Sequence, residues 1–145
     1  MAISTAVCNS FKVECMEGTH ALETDVIKMA LIKTSPSGTY GASTTNYSDV
    51  TGNSDEVTGT GYTITGNTLS NLAVTLDGSV AVVDFDDNDW ADATFDCRGA
   101  LIYNSSKSNK AIAVYDFGAD KSIIDMTFRV SPPVAGATTA IIRLA

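Results

Sequence analysis

Polar and apolar residues alternate with a period of two along most of this chain, and that spacing decides what it can fold into. In "TFDCRGALIY", Phe95, Cys97, Leu101 and Tyr103 fall on one face, opposite Asp96, Arg98, Ala100 and Ile102. In "KAIAVYDFG", Ala111, Ala113, Tyr115 and Phe117 lie opposite Ile112, Val114 and Asp116. In "SIIDMTFRV", Ile124, Met126, Phe128 and Val130 alternate with Asp125, Thr127 and Arg129, the cleanest pattern of a half-buried strand in the sequence. Ser10 to Met16, Asp25 to Lys33, Leu69 to Leu76, Val80 to Phe85 and Thr139 to Leu144 read as further strands.

Turn chemistry separates these runs. Asp77-Gly78 reads as a tight hairpin turn with positive φ at both central positions. "NSSKSN" reads as a longer turn, and "SPPVAGATT" as a connection, because proline gives a sheet no N–H. The expectation is an all-β chain with little helix. It is an antiparallel β-sandwich, jelly-roll-like, forming a single domain over residues 1–145.

Two segments depart from the pattern. Residues 35–67 are rich in Gly, Ser, Thr and Asn and read as a long polar surface excursion, with a helical turn around Thr44 to Asp49. Residues 1–10 read as a short, nearly uncharged arm. It could add a strand to a neighbour's open sheet edge or complete its own sheet.

The 17 acidic and 9 basic residues give a net charge of −8 with no basic cluster, which argues against nucleic acid as a partner. No apolar run is long enough to predict a membrane span. The N-terminal stretch lacks the basic start and apolar core of a secretory signal. Cys8, Cys15 and Cys97 form neither a C-x-x-C pair nor a zinc spacing, and read as free thiols of a cytosolic product.

The stretch "VVDFDDNDWADATFDC" has the acidity of a metal loop. Counted from Asp84 as an EF-hand, Asp86 and Asn88 fit positions 3 and 5, but position 6 is Asp89 and position 12 is Phe95. The glycine and the bidentate glutamate are missing, so an acidic turn is the better reading and no metal is expected. His20 is the only histidine, without a G-x-S-x-G elbow, and reads as a surface or turn residue. Asp49, Asp55, Glu56, Asp84, Asp86, Asp87 and Asp89 lie in turn-like stretches and read as solvated charge, not a glycosidase pair. "GTGY" lacks the helix that a phosphate loop requires. No catalytic residue and no cofactor is therefore expected. The residues best suited to a contact with another molecule are Ile3 and Val7 of the arm, with Tyr40, Tyr47, Tyr62 and Trp90 as aromatic anchors.

The order of features adds a resemblance. "FKVECMEGTHAL", "DVIKMALIKTS", "GASTTNYSDV", "TGTGYT", "VDFDDNDWADATFDCRGALIYNSSKSNKAIAVYDFG" and "AIIRLA" follow one another over most of the chain. Their most specific part is "W…F…RGALIYN…AIAVYDFG". In this layout the chain resembles small virion structural proteins of tailed bacteriophages, of the head decoration or cement type. The resemblance implies an all-β domain without enzyme activity, made in the host cytoplasm and carried on the virion. It implies self-association as a homodimer or homotrimer and attachment to the major capsid protein. A tail, fibre or baseplate component is the alternative in the same class. A carbohydrate-binding module, using tyrosine and tryptophan faces, is the alternative in another class.

Overall fold

The stretch richest in alternation folds into one long antiparallel pair, β8 (Asn88–Asn104) and β9 (Lys110–Val130), joined by a 3-10 turn at Ser105–Lys107. These are strands of 17 and 21 residues, well beyond the usual length of about 3–10. Around them stand β1 (Ala2–Ile3), β2 (Ala6–Val7), β3 (Ile27–Ile32), β4 (Thr39–Tyr40), β5 (Asn67–Thr68), β6 (Ala73–Asp77), β7 (Val80–Asp84) and β10 (Ile142–Leu144). Two short helices, α1 (Asn9–Met16) and α2 (Ser48–Gly52), complete the fold. This computed structural model describes residues 2–145, so Met1 of the arm lies outside the described residues.

The strands form a five-stranded sheet in the order β2-β9-β8-β3-β5, a three-stranded sheet β10-β7-β6, and a parallel pair β1-β4. Both larger sheets are antiparallel and share one apolar core. With 47% strand and 11% helix, the chain is an all-β sandwich. Leu101, Ile102, Tyr103 and Asn104 are all buried, so both faces of β8 are covered at that end.

The β6–β7 hairpin forms where the sequence predicts a turn, one residue later than expected. Asp77 pairs with Val80, so Gly78 and Ser79 are the central residues. Positive φ is confined to Gly78, at 62°, the type II′ pattern.

Three expectations need correction. Ser10 to Met16 is not a strand but lies in α1. Phe11, Val13 and Cys15 alternate, yet Phe11 and Cys15 also stand four apart and share a helix face. Phe11 is buried, whereas Val13 and Met16 are exposed. The "SIIDMTFRV" strand does not keep its predicted face. Phe95 pairs with Ile123 and Ala93 with Met126, so Ile124 and Asp125 together stand opposite Thr94 alone. This bulge, with Asp125 at φ 49°, puts Ile123 in the core and leaves Ile124 66% exposed. A matching bulge on β8, with Asp92 at φ 48°, restores the register between Ala93 and Trp90. Aspartate tolerates the left-handed conformation better than most residues.

The third correction concerns residues 35–67. They leave the sheet as expected, but Tyr40, Thr44, Tyr47, Val50, Asp55, Glu56 and Val57 are buried, so the segment packs as a layer of the core. Its last turn lies hard against β3. Gly66 has φ 75°, and a Cβ there would stand 1.9 Å from the Met29 carbonyl oxygen. Gly66→Ala is therefore expected to lower stability by about 2–3 kcal/mol, from left-handed strain and overpacking. Gly52, with nothing within 4 Å of its hypothetical Cβ, is the control. Urea denaturation should show a large loss for Gly66→Ala and none for Gly52→Ala.

Candidate functional site

The arm is tied to its own domain. Ile3 of β1 pairs with Tyr40, and Val7 of β2 pairs with Ala113. The Ser4 N–H donates to the Tyr40 carbonyl at 2.9 Å and the Cys8 N–H to the Ile112 carbonyl at 2.9 Å. Ile3 and Val7 are each half-buried, and Cys8 is fully buried. Of the two roles open to the arm, the structure takes the second.

The aromatic anchors are not free surface groups. Trp90 is 2% exposed, and its ring lies 6.3 Å from Tyr62 and 5.9 Å from Phe128. Tyr40 and Tyr47 are buried too, and Tyr47 stacks on Tyr103 at 4.5 Å. Only Tyr62 is half-exposed. The reason lies in two adjacent carboxylates that read as surface charge in the sequence. Asp55 accepts hydrogen bonds from the Tyr40 hydroxyl (2.6 Å) and the N–H groups of Ser37 (2.9 Å) and Gly38 (2.8 Å), and the Lys33 ammonium lies at 3.1 Å. Glu56 accepts from the hydroxyls of Tyr47 and Tyr62 and from the Thr65 N–H. The tyrosines are thus donors to buried acids, which fasten residues 35–67 to the sheet.

The electrostatics follow from this arrangement. Burial alone would push the Asp55 carboxyl up. Its donors, led by Tyr40, outweigh that and hold it at about 2. Burial, followed by the hydrogen bond to a carboxylate, raises the hydroxyls of Tyr40, Tyr47 and Tyr62 above the ordinary phenol range. They stay protonated and keep donating.

His20 also differs from its reading. Its side chain is fully buried, 4.9 Å from the Phe11 ring. Its Nε2 lies 2.6 Å from Glu14 Oε2, and its Nδ1 lies 3.0 Å from the Asn104 amide nitrogen, which also donates to Asp25 at 2.8 Å. An amide N–H can only donate, so Nδ1 is the acceptor and the Nε2–H donates to Glu14. Lys110 and Lys107 flank the two carboxylates at 3.5 and 3.8 Å. The cluster locks α1 and the segment after it onto the end of β8.

The acidic stretch does not gather into one site. Asp89 holds Arg129 through two hydrogen bonds of 2.7 Å, and Arg129 also lies 3.6 Å from Asp87. Asp86 accepts from Asn71, Asp84 from the Phe85 N–H, and Asn88 from Asn67. Among the described residues, no group of three or more His, Cys, Asp or Glu could jointly hold a metal ion. The ladder partners Asp89 and Arg129 instead close the open end of β8–β9 with a bidentate ion pair.

The cysteines are free. Cys8 and Cys97 are fully buried, and burial, helped by nearby carboxylates, pushes both thiols up to about 12. Cys15 is half-buried and raised by the same cause. In the native protein a thiol reagent should modify Cys15 first, with Cys8 and Cys97 protected until unfolding. Three equivalents should react in denaturant, and a count of one would show a disulfide.

Two open surfaces gather residues that, Val7 and Tyr115 apart, sequence reasoning missed. One is a shallow pocket where the half-buried rings of Tyr115, Phe117 and Phe128 meet edge to face, beside Lys121 and Arg129. The second is a cleft between β2 and the β10 region, lined on its charged side by Lys12 and Arg143. Both share Tyr115. No protein-family model, no curated protein and no solved structure matches this chain.

Proposed function

We propose that this chain is a structural protein of a phage virion, a decoration or cement protein that binds the capsid lattice and stabilises it. One observation carries the reading beyond the sequence resemblance. The stretch with the most specific likeness, residues 90–118, builds most of the β8–β9 pair, and further along that pair Ile124 and Met126 are 66% and 57% exposed. A strand pair of this length, carrying apolar side chains into water, suits repeated contacts with neighbouring subunits. On this reading the protein is made in the host cytoplasm, associates with itself and docks on the major capsid protein.

The test is cryo-electron microscopy of virions from a phage that encodes the chain, with copy number by quantitative mass spectrometry. A head coat predicts on the order of hundreds of copies per particle, by lattice repetition. A copy number of about ten, with density on the tail, would replace it with the tail, fibre or baseplate reading. Absence from purified particles would sink both.

The aromatic pocket at Tyr115, Phe117 and Phe128 favours a second reading, carbohydrate binding, since such rings can stack on sugars. The burial of Trp90, Tyr40, Tyr47 and Tyr103 removes those four faces from that role, whereas Tyr62 and Tyr115 stay half-exposed. A glycan array on the purified protein decides it, with Phe128→Ala as the variant that should lose any signal.

A further inference from the structure

We propose that the cleft between β2 and β10 is a strand-addition site that takes an extended, acidic segment of a partner protein. This goes beyond the virion reading and does not depend on it.

The backbone makes the first argument. β2 is an edge of the five-stranded sheet and β10 an edge of the three-stranded sheet. Thr5, Ala6 and Val7 form one wall of a cleft of about 340 Å³, and Ala140, Ile141 and Arg143 form the other. In the β2–β9 ladder, Ala6 faces Val114 and Val7 faces Ala113. The Cys8 N–H donates to the Ile112 carbonyl, so Cys8 and the residue two before it are the hydrogen-bonded positions. Val7 then sits at the alternate position, with its N–H and C=O directed away from β9 toward the open edge. An extended chain laid along β2 would meet that donor and that acceptor.

Charge supplies the second argument and names the occupant. The protein carries −8, yet no acidic residue lines this cleft, whereas Lys12 and Arg143 do. Five of the nine basic residues, Lys33, Arg98, Lys107, Lys110 and Arg129, stand in ion pairs. Among the described residues, Lys12, Lys28, Lys121 and Arg143 stand in none, and two of these four, Lys12 and Arg143, line this one cleft. Lys12 Nζ reaches Asn9 Oδ1 at 3.5 Å, and Arg143 donates to the Ala140 carbonyl. Two uncompensated cations beside an open strand edge select a segment with carboxylates. Tyr115 on the lining leads toward the aromatic pocket, which would receive an apolar side chain of the same segment.

Edge lysines can also serve only to repel other strands, and the experiment separates the two roles. The probe is a short blocked peptide of alternating valine and glutamate, labelled for fluorescence polarisation and titrated into the full chain. Matched peptides replace each glutamate by lysine, or interrupt the strand with proline. The proposal expects saturable binding of the glutamate peptide with a shift of the Val7 amide resonance, weakened by about tenfold or more in K12E/R143E. It expects no binding of the proline peptide. The double variant should still unfold in one cooperative transition, its midpoint lowered only slightly by loss of the Arg143 hydrogen bond to the Ala140 carbonyl. Equal binding of the lysine peptide, or no binding up to about 1 mM, would overturn the proposal. So would concentration-dependent dimers that K12E/R143E abolishes, because the occupant would then be a second copy.

Discussion

Asp55→Ala is expected to remove about 3–5 kcal/mol of folding stability, the scale set by breaking a buried charge pair from one side. A small domain has only about 5–15 kcal/mol in total, so the variant should be largely unfolded at moderate urea. The carboxylate is fully buried and serves the Ser37 and Gly38 N–H groups, the Tyr40 hydroxyl and the Lys33 ammonium at once. Alanine leaves those donors facing a void. Asp87→Ala, at an exposed turn, should change stability by no more than about 0.5 kcal/mol. The same group sets an acid limb. Its folded pKa of about 2 lies below the ordinary 3.8. Its contribution is complete above the unfolded value and is lost as pH falls from about 4 toward 2. That contribution is about 2 kcal/mol. Urea midpoints measured at pH 5 and pH 2.5 should converge between wild type and Asp55→Asn. A variant that unfolds like wild type at pH 5 would remove Asp55 from this role.

Deletion of residues 2–8 is expected to abolish cooperative folding. The segment holds both β1 and β2, and it ends in Cys8, a fully buried core residue. Ile3 lies against Gly99, where a Cβ would stand 3.1 Å from the Ile3 side chain. Without the segment, β9 loses its outer neighbour along Ala113 and Val114, and Tyr40 loses its partner strand. An apolar edge is then open to other chains, so aggregation should accompany the loss of a sigmoidal transition. A soluble truncated chain with the wild-type urea midpoint would show instead that the segment is a free clasp.

The sequence was most legible where alternation is unbroken. β3, β7 and the first part of β9 lie within a residue or two of their expected places, because a period of two and local turn residues determine them. It was least legible where one extra residue resets the count. The bulge at Ile124 and Asp125 exchanges the buried and exposed isoleucines, and nothing in "SIIDMTFRV" marks the exchange except an aspartate able to adopt positive φ. In α1, Phe11 and Cys15 satisfy both periods, and tertiary packing selected the helical one, leaving Val13 outside. The Asp55 and Glu56 cluster was hidden because a carboxylate's burial depends on donors that only the fold brings near. The one local hint was three tyrosines in an otherwise polar segment. The β2–β10 cleft was visible only in part: Val7 of its edge was a contact candidate, but Lys12 of α1 and Arg143 of β10 come together only in the fold, from opposite ends of the sequence.

The pairing of Ala6 with Val114 also bears on synthesis. A ribosome releases the first strand long before its neighbour exists, and β2 can join no sheet until β9 has emerged. Contacts this distant in sequence fold slowly. Until residues 113 and 114 have been made, then, an apolar, strand-prone segment waits unpaired in a crowded cell, where other nascent copies expose the same segment. Production of this protein should therefore be sensitive to synthesis rate, with slower translation or lower temperature raising the soluble fraction without any change in the native structure.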